Sequence, residues 1–273
     1  MSAISVKTVD IDGGSIAYLE TGTGEPLLYL HGAGGRPPSG ATFVSELGKQ
    51  FRVLLPSRPG FDESPVGRCE TVKDASEAMA AFIEQTAGRP VHVVAQSAGG
   101  AVGLWLAIQH PDLVANLVLS APAAFAHRPS SGGPPGQRGP VDMDRMLYGD
   151  SPTWSSPPDQ ADQARIGRNA AFNMQRFGGP NDELKERLGE VASPVLVLWG
   201  TEDRLLSPES STIYQERIPR ALRTFIYGAA HELPIAATAK WVALIADFIR
   251  RGEFYIVRDS GNQALPFTTE GSR

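Results

Sequence analysis

Two hydrophobic patterns divide the chain. Residues 3 to 20 hold two alternating runs, "ISVKTVDI" and "SIAYLE". A period of two marks strands with one buried face, and Gly13-Gly14 between them supplies the positive φ of a two-residue hairpin turn. The chain is therefore predicted to start antiparallel. From Pro26 onward come short, almost wholly apolar runs: "LLYLH", "RVLLP", "VHVVAQ", "NLVLSA", "PVLVLWG" and "RTFIYG". Strands buried on both faces read this way, because βαβ crossovers cover a parallel sheet on each side.

The intervening segments carry helical signals. Thr71 and Asp74 form a predicted capping box, after which Val72, Ala75, Met79, Phe82 and Ile83 share one face. Ser207-Pro208 reads as an N-cap and first-turn pair, and Trp241, Leu244, Ile245, Phe248 and Ile249 mark the last helix. One region breaks the alternation. Residues 122–193 are far longer than a direct crossover needs. Their first half, "RPSSGGPPGQRGPVDMDRMLYGDSPTWSSPP", is rich in Pro and Gly and predicted to loop, with helices expected around 159–177 and 181–189. The expected organisation is a core of residues 1–121 and 194–273 with 122–193 as a cap over one end of the sheet. The tail "GEFYIVRDSGNQALPFTTEGSR" offers only a short strand-like "FYIV".

Composition narrows the classes. With 273 residues, 41% of them hydrophobic, the chain can bury one large α/β core. Against 30 acidic residues stand 25 basic ones, for a net charge of −5, and no Lys/Arg cluster forms a phosphate-binding stripe. Nucleic acid is not an expected partner. Cys69 is the single cysteine, which excludes an intrachain disulfide or thiolate metal cluster and fits a reducing compartment. The start "MSAISVKTVDIDGG" lacks a basic segment followed by an apolar one, and no apolar stretch approaches about 18 residues. A cytoplasmic protein without a membrane partner is expected; the sequence leaves the oligomeric state open.

Loops that follow parallel strands gather at one sheet edge, where open α/β folds bind ligands. Four of them carry unusual residues: "HGAGG", "SAGG", "GTED" and "GAAHELP". Ser97 stands between "VHVV" and the small residues Ala98, Gly99 and Gly100, at a strand-to-helix junction. A turn that sharp strains the serine backbone, lifts its hydroxyl clear of the sheet, and needs small neighbours. This strand, small-x-Ser-x-Gly, helix arrangement resembles the nucleophile elbow of the α/β-hydrolase superfamily, in its serine esterase-like form with a cap insertion. The order Ser97, Asp203, His231 is similar to that superfamily's Ser…Asp/Glu…His order. "SRPGFDES" at 57–64 resembles a further loop of many members. Ala95 departs from the pattern, since Gly is commoner there. The resemblance runs from the first hairpin to the last amphipathic helix, and only the cap and tail lack a match.

The resemblance implies an α/β-hydrolase fold: a mostly parallel twisted sheet with an antiparallel N-terminal hairpin, helices on both faces and an inserted cap. It implies Ser97 as nucleophile, His231 as base and Asp203 as the acid that orients it. Among the other histidines, His92 lies within a strand, His110 ends a helix, His127 begins the insertion and His31 precedes the first glycine loop, where bracing that loop is its expected role. Glu202 is expected to point away, and "SAPAAF" offers no acid. Backbone amides of Ala98 and Ala33 are the implied oxyanion donors, with Gly34 as the alternative if the loop is tighter. Read without this context, Ser97 is a helix N-cap, Asp203 a surface or capping acid, His231 an exposed loop residue and "HGAGG" a flexible turn.

A dinucleotide fingerprint fails on spacing, because the third glycine position counted from Gly32 falls on Pro37. There is no Walker A lysine motif and no zinc-ligand pair on a helix, so neither cofactor nor metal is expected. A serine at the elbow argues against haloalkane dehalogenases and epoxide hydrolases, and the "HGGPG" of proline iminopeptidases is absent. The expected activity is hydrolysis of a carboxylic ester-type bond, in an ester, lactone or thioester of a small, partly apolar substrate, through an acyl-enzyme. A carbon–carbon bond hydrolase, a cofactor-free haloperoxidase and a non-catalytic ligand-binding protein stay open as alternatives. Gly34, Met143, Met146, Trp154, Phe172, Met174 and Phe177 are candidate pocket residues, and the cap residues among them read equally well as the cap's own core.

Overall fold

The computed structural model describes residues 6–125, 142–150, 152–179 and 181–252. The "RPSSGGPPGQRGP" run, His127 and the "FYIV" tail lie outside the described residues. Among the described residues, eight strands form one sheet: β1 (Val6–Ile11), β2 (Gly14–Thr21), β3 (Pro26–Leu30), β4 (Arg52–Pro56), β5 (Val91–Gln96), β6 (Val114–Ser120), β7 (Val195–Gly200) and β8 (Ala221–Ile226). Their spatial order is β1-β2-β4-β3-β5-β6-β7-β8. The pairs β1–β2 and β2–β4 are antiparallel, and every later pair is parallel. The first turn lies one residue earlier than expected. Ile11 pairs with Gly14, so Asp12-Gly13 makes the turn, with Gly13 at φ +96°. Either dipeptide contains a glycine able to turn, and the observed register sets Val9 against Ile16, which is buried.

Helices surround the sheet: α1 (Phe43–Gly48), α2 (Val72–Thr86), α3 (Gly99–Gln109), α4 (Met143–Tyr148), α5 (Gln160–Phe177), α6 (Asp182–Glu186), α7 (Ser211–Arg217), α8 (Leu233–Ala236) and α9 (Thr238–Arg251). The expected capping box opens α2, and Ala75, Met79, Phe82 and Ile83 are buried along its face. In α9, Trp241, Ile245, Phe248 and Ile249 are buried, and the Trp241 indole N–H donates to the Ser120 hydroxyl on β6 at 3.0 Å. α3 is apolar on all sides because it is sandwiched between the sheet and α2. At Ser207 the expected N-cap and first-turn Pro208 are present, and they open a 3₁₀ turn, Pro208–Ser210, that precedes α7. The Ser207 hydroxyl bonds the Glu209 carboxylate instead of capping the backbone.

Between β6 and β7 the two expected helices are present as α5 and α6, the latter followed by a 3₁₀ turn at Leu188–Glu190. α4 falls where a loop was expected. Its start is fixed by Asp142, whose carboxylate accepts from the Arg145 amide at 3.0 Å, a local cap that the surrounding Pro and Gly residues obscure. Among the described residues no helix is long and apolar enough to cross a membrane.

A buried carboxylate ties α5 to the 57–64 loop. The Asp62 side chain is fully buried. Its Oδ1 accepts from Arg165 Nη1 and Asn169 Nδ2, both at 2.8 Å, and its Oδ2 from the Arg36 amide at 2.9 Å and Ser57 Oγ at 3.1 Å. Burial alone would push this carboxyl up, but His31, the Arg36 amide, Arg165 and Asn169 outweigh it and hold the pKa at about 2. Removing one partner of such a pair strands the other. Asp62→Ala is expected to cost about 3 kcal/mol or more, read as a lowered thermal unfolding midpoint; an unchanged midpoint contradicts the clamp.

Candidate active site

The C-terminal ends of β3, β5, β7 and β8 lie side by side in the parallel part of the sheet. Ser97 follows β5 directly, at φ +49°, a left-handed conformation that non-glycine residues rarely adopt. Three backbone hydrogen bonds hold it there. Its N–H donates to Ser120 O, and its carbonyl accepts from the amides of Gly100 and Ala123, each at 2.9 Å. The helix can start at once because Gly99 lies flat against β3, where a Cβ would meet the carbonyl oxygens of Leu30 and His31.

Ser97 Oγ stands 2.9 Å from His231 Nε2, and His231 Nδ1 stands 2.8 Å from Asp203 Oδ2. All three residues are buried. The other Asp203 oxygen accepts from the amides of Leu205 and Leu206 at 3.0 and 2.9 Å, which fixes the carboxylate plane. The His231 carbonyl accepts from Gln96 Nε2 at 3.2 Å, linking the loop after β8 to the strand that carries Ser97. Burial alone would push the His231 pKa down, but the hydrogen bond and charge of Asp203 raise it above the ordinary 6.5. Glu202 is exposed and pairs with Arg204.

The "HGAGG" loop is pinned over Ser97. A Cβ on Gly32 would stand 3.2 Å from Ser97 Cβ. Gly32 O accepts from His31 Nδ1 at 2.8 Å and from Arg58 Nη2 at 3.1 Å, while His31 Nε2 accepts the Arg58 backbone N–H at 3.0 Å. Those partners fix one neutral tautomer of His31. Burial, reinforced by the Arg58 charge, pushes its pKa down to about 3. Gly34 O accepts from Asn169 Nδ2 of α5 at 3.0 Å. Among the described residues, the amides of Ala33 and Ala98 bond no protein acceptor, and both residues keep partial exposure.

The remaining described histidines are occupied elsewhere: His92 with Glu25 and Asn116, and His110 with Glu77. The candidate pocket residues divide. Met143 and Met174 are 48% and 60% exposed. Phe172 and Phe177 pack on Phe61 at 5.3 and 6.4 Å and so join α5 to the 57–64 loop. Gly34 is covered by the Ile166 side chain. Trp154 packs edge-on to Tyr148 at 5.0 Å, and Met146 is partly buried. Sequence reading assigned no role to Gln96, Arg58, Asp62, Asn169 or Glu232. The similarity of "SRPGFDES" to a known loop pointed to the place of Arg58 and Asp62, but not to their partners. Among the described residues, no cluster of His, Cys, Asp and Glu is suited to hold a metal.

Residues 25–135 match the family described as alpha/beta hydrolase fold. The acetyltransferase component of the acetoin cleaving system of Cupriavidus necator is 26% identical over 75% of this chain, and the chain spans 59% of that relative, less than two thirds of its length. The 2-hydroxy-6-oxo-6-phenylhexa-2,4-dienoate hydrolase of Comamonas testosteroni is 26% identical over 74% of this chain and 79% of its own. The carboxylesterase CesB of Bacillus subtilis superposes with a TM-score of 0.69 at 16% identity, covering 90% of this chain and 92% of the other. The chain has the α/β-hydrolase fold, and residues 25–135 are similar to that family.

The opposing influences on His231 give a testable sign. Burial disfavours the imidazolium and Asp203 favours it, so the His231 NMR titration midpoint is expected above 6.5. In Asp203→Asn it is expected to fall below the wild-type value. A midpoint unmoved by that substitution contradicts the assigned pairing.

Proposed function

We propose that the chain is a serine hydrolase that cleaves a carboxylic ester-type bond through an acyl-enzyme. The observation that carries this reading is the unbroken relay from Ser97 Oγ through His231 to Asp203, beside two backbone amides with no protein acceptor. His231 Nε2 takes the Ser97 proton as Oγ bonds to the substrate carbonyl carbon, and the carbonyl oxygen gains charge facing the Ala98 and Ala33 amides. The imidazolium, held by Asp203, then gives its proton to the leaving oxygen as the old bond breaks. Water, deprotonated by the same nitrogen, returns Ser97 to its free state and releases the acid.

An ester suits this site because an oxygen leaving group needs only the proton that Nε2 carries. Cleavage of a carbon–carbon bond is the second reading, favoured by the similarity to the Comamonas testosteroni hydrolase. It demands in addition that the departing carbon be stabilised and protonated. In the ester reading residues 122–193 act as a cap over the core of residues 1–121 and 194–273. Trp154 and Met146, both partly buried, are the pocket candidates best placed in it.

A fluorophosphonate is expected to modify the protein at Ser97, located by mass spectrometry, and short p-nitrophenyl esters are expected to be turned over. Ser97→Ala should lower kcat about 10⁴-fold or more with the unfolding midpoint retained. Modification at another serine rejects the assignment. Neither modification nor turnover leaves a ligand-binding protein on this scaffold as the better reading.

A further inference from the structure

Glu232, next in sequence to His231, has no part in the relay, yet the fold aims it at the nucleophile. Its backbone is pinned on both sides: the N–H donates to Leu147 O of α4 at 2.7 Å, and the carbonyl accepts from the amides of Ile235 and Ala236 at 2.8 Å. The side chain therefore leaves a fixed point in a set direction. Glu232 Oε1 and Ser97 Cβ both lie within 4 Å of the point where a Cβ on Gly32 would stand. The carboxyl thus borders the space between the "HGAGG" loop and the serine.

Its lack of partners separates it from the other enclosed carboxylates. Asp62 and Asp203 each accept several hydrogen bonds. Among the described residues, no donor bonds either oxygen of Glu232. The residue keeps partial access, so the carboxyl faces an opening and not packed core. Two phenols share that neighbourhood. Tyr148 and Tyr29 are pushed up chiefly by burial and further by the charge of Glu232, and Tyr148 continues into Trp154. A carboxyl without a protein donor suits a donor that arrives with the ligand.

We propose that Glu232 determines substrate specificity by accepting a hydrogen bond from a hydroxyl or ammonium group held beside the scissile carbonyl. This rests on the hydrolase reading. Burial and Asp203 push the free carboxyl up, while His231 opposes them. A donor from the substrate therefore favours the ionised form and also offsets its repulsion of the developing oxyanion.

Three ethyl esters that differ in one substituent on the carbon beside the carbonyl test the proposal: isobutyrate with methyl, lactate with hydroxyl, and alaninate with ammonium. Their intrinsic reactivities differ, so the readout is the ratio of kcat/KM values in wild type against the same ratio in Glu232→Gln and Glu232→Leu. The lactate and alaninate preferences over isobutyrate are expected to drop about tenfold in the Leu variant, the loss of one charge-assisted hydrogen bond. The Gln variant should keep most of the lactate preference and lose that for alaninate. Ratios identical in all three proteins overturn the proposal while leaving the hydrolase reading intact. Absence of turnover on every ester, with Ser97 unreactive to fluorophosphonate, overturns the hydrolase reading and this inference together.

Discussion

The left-handed turn at Ser97 is the constraint on which the site depends. A non-glycine residue held there costs about 1–3 kcal/mol, and it persists because its neighbours allow nothing else. β6 grips the Ser97 amide and the segment after β6 grips its carbonyl. Gly99 lets α3 start against the end of β3, and a Cβ on Gly103 would stand 2.8 Å from Ala95 Cβ, so α3 stays tight on the strand it follows. Ala95, the departure from the superfamily's commoner glycine, is accommodated by that bare surface of α3.

The same edge places two buried histidines in opposite electrostatic settings. His31 lies beside the Arg58 guanidinium and stays neutral, with both ring nitrogens committed to holding the Gly32 loop. His231 lies against Asp203, which overcomes the burial penalty and favours its charged form. One histidine thus maintains shape while the other has its charged form favoured by its partner. Asp62 extends the shape-holding network into α5, so the segment between β6 and β7 is joined to the loop over Ser97 through Asn169 and Arg165.

Much of this was legible in the chain because it rests on local pattern. The apolar runs gave the strands, Thr71 and Asp74 gave the start of α2, and the glycines after Ser97 marked the elbow. Where two local solutions were equivalent, as at Gly13-Gly14, the burial of Ile16 made the choice. α4 escaped notice because a single Asp142 cap works inside a Pro/Gly-rich stretch. The Asp62 clamp joins residues a hundred positions apart, and no local signal links them. Phe172 and Phe177 have the composition of a pocket wall, and only their packing on Phe61 reveals a structural joint.

The central claim is that the Ser97 hydroxyl, the His231–Asp203 pair and two unoccupied amides converge on one carbonyl. A crystal structure of the phosphonylated protein tests it most directly. The account predicts phosphorus bonded to Ser97 Oγ, with its oxygen about 3 Å from the amides of both Ala98 and Ala33. A phosphonyl oxygen turned to solvent, with those amides unengaged, contradicts it.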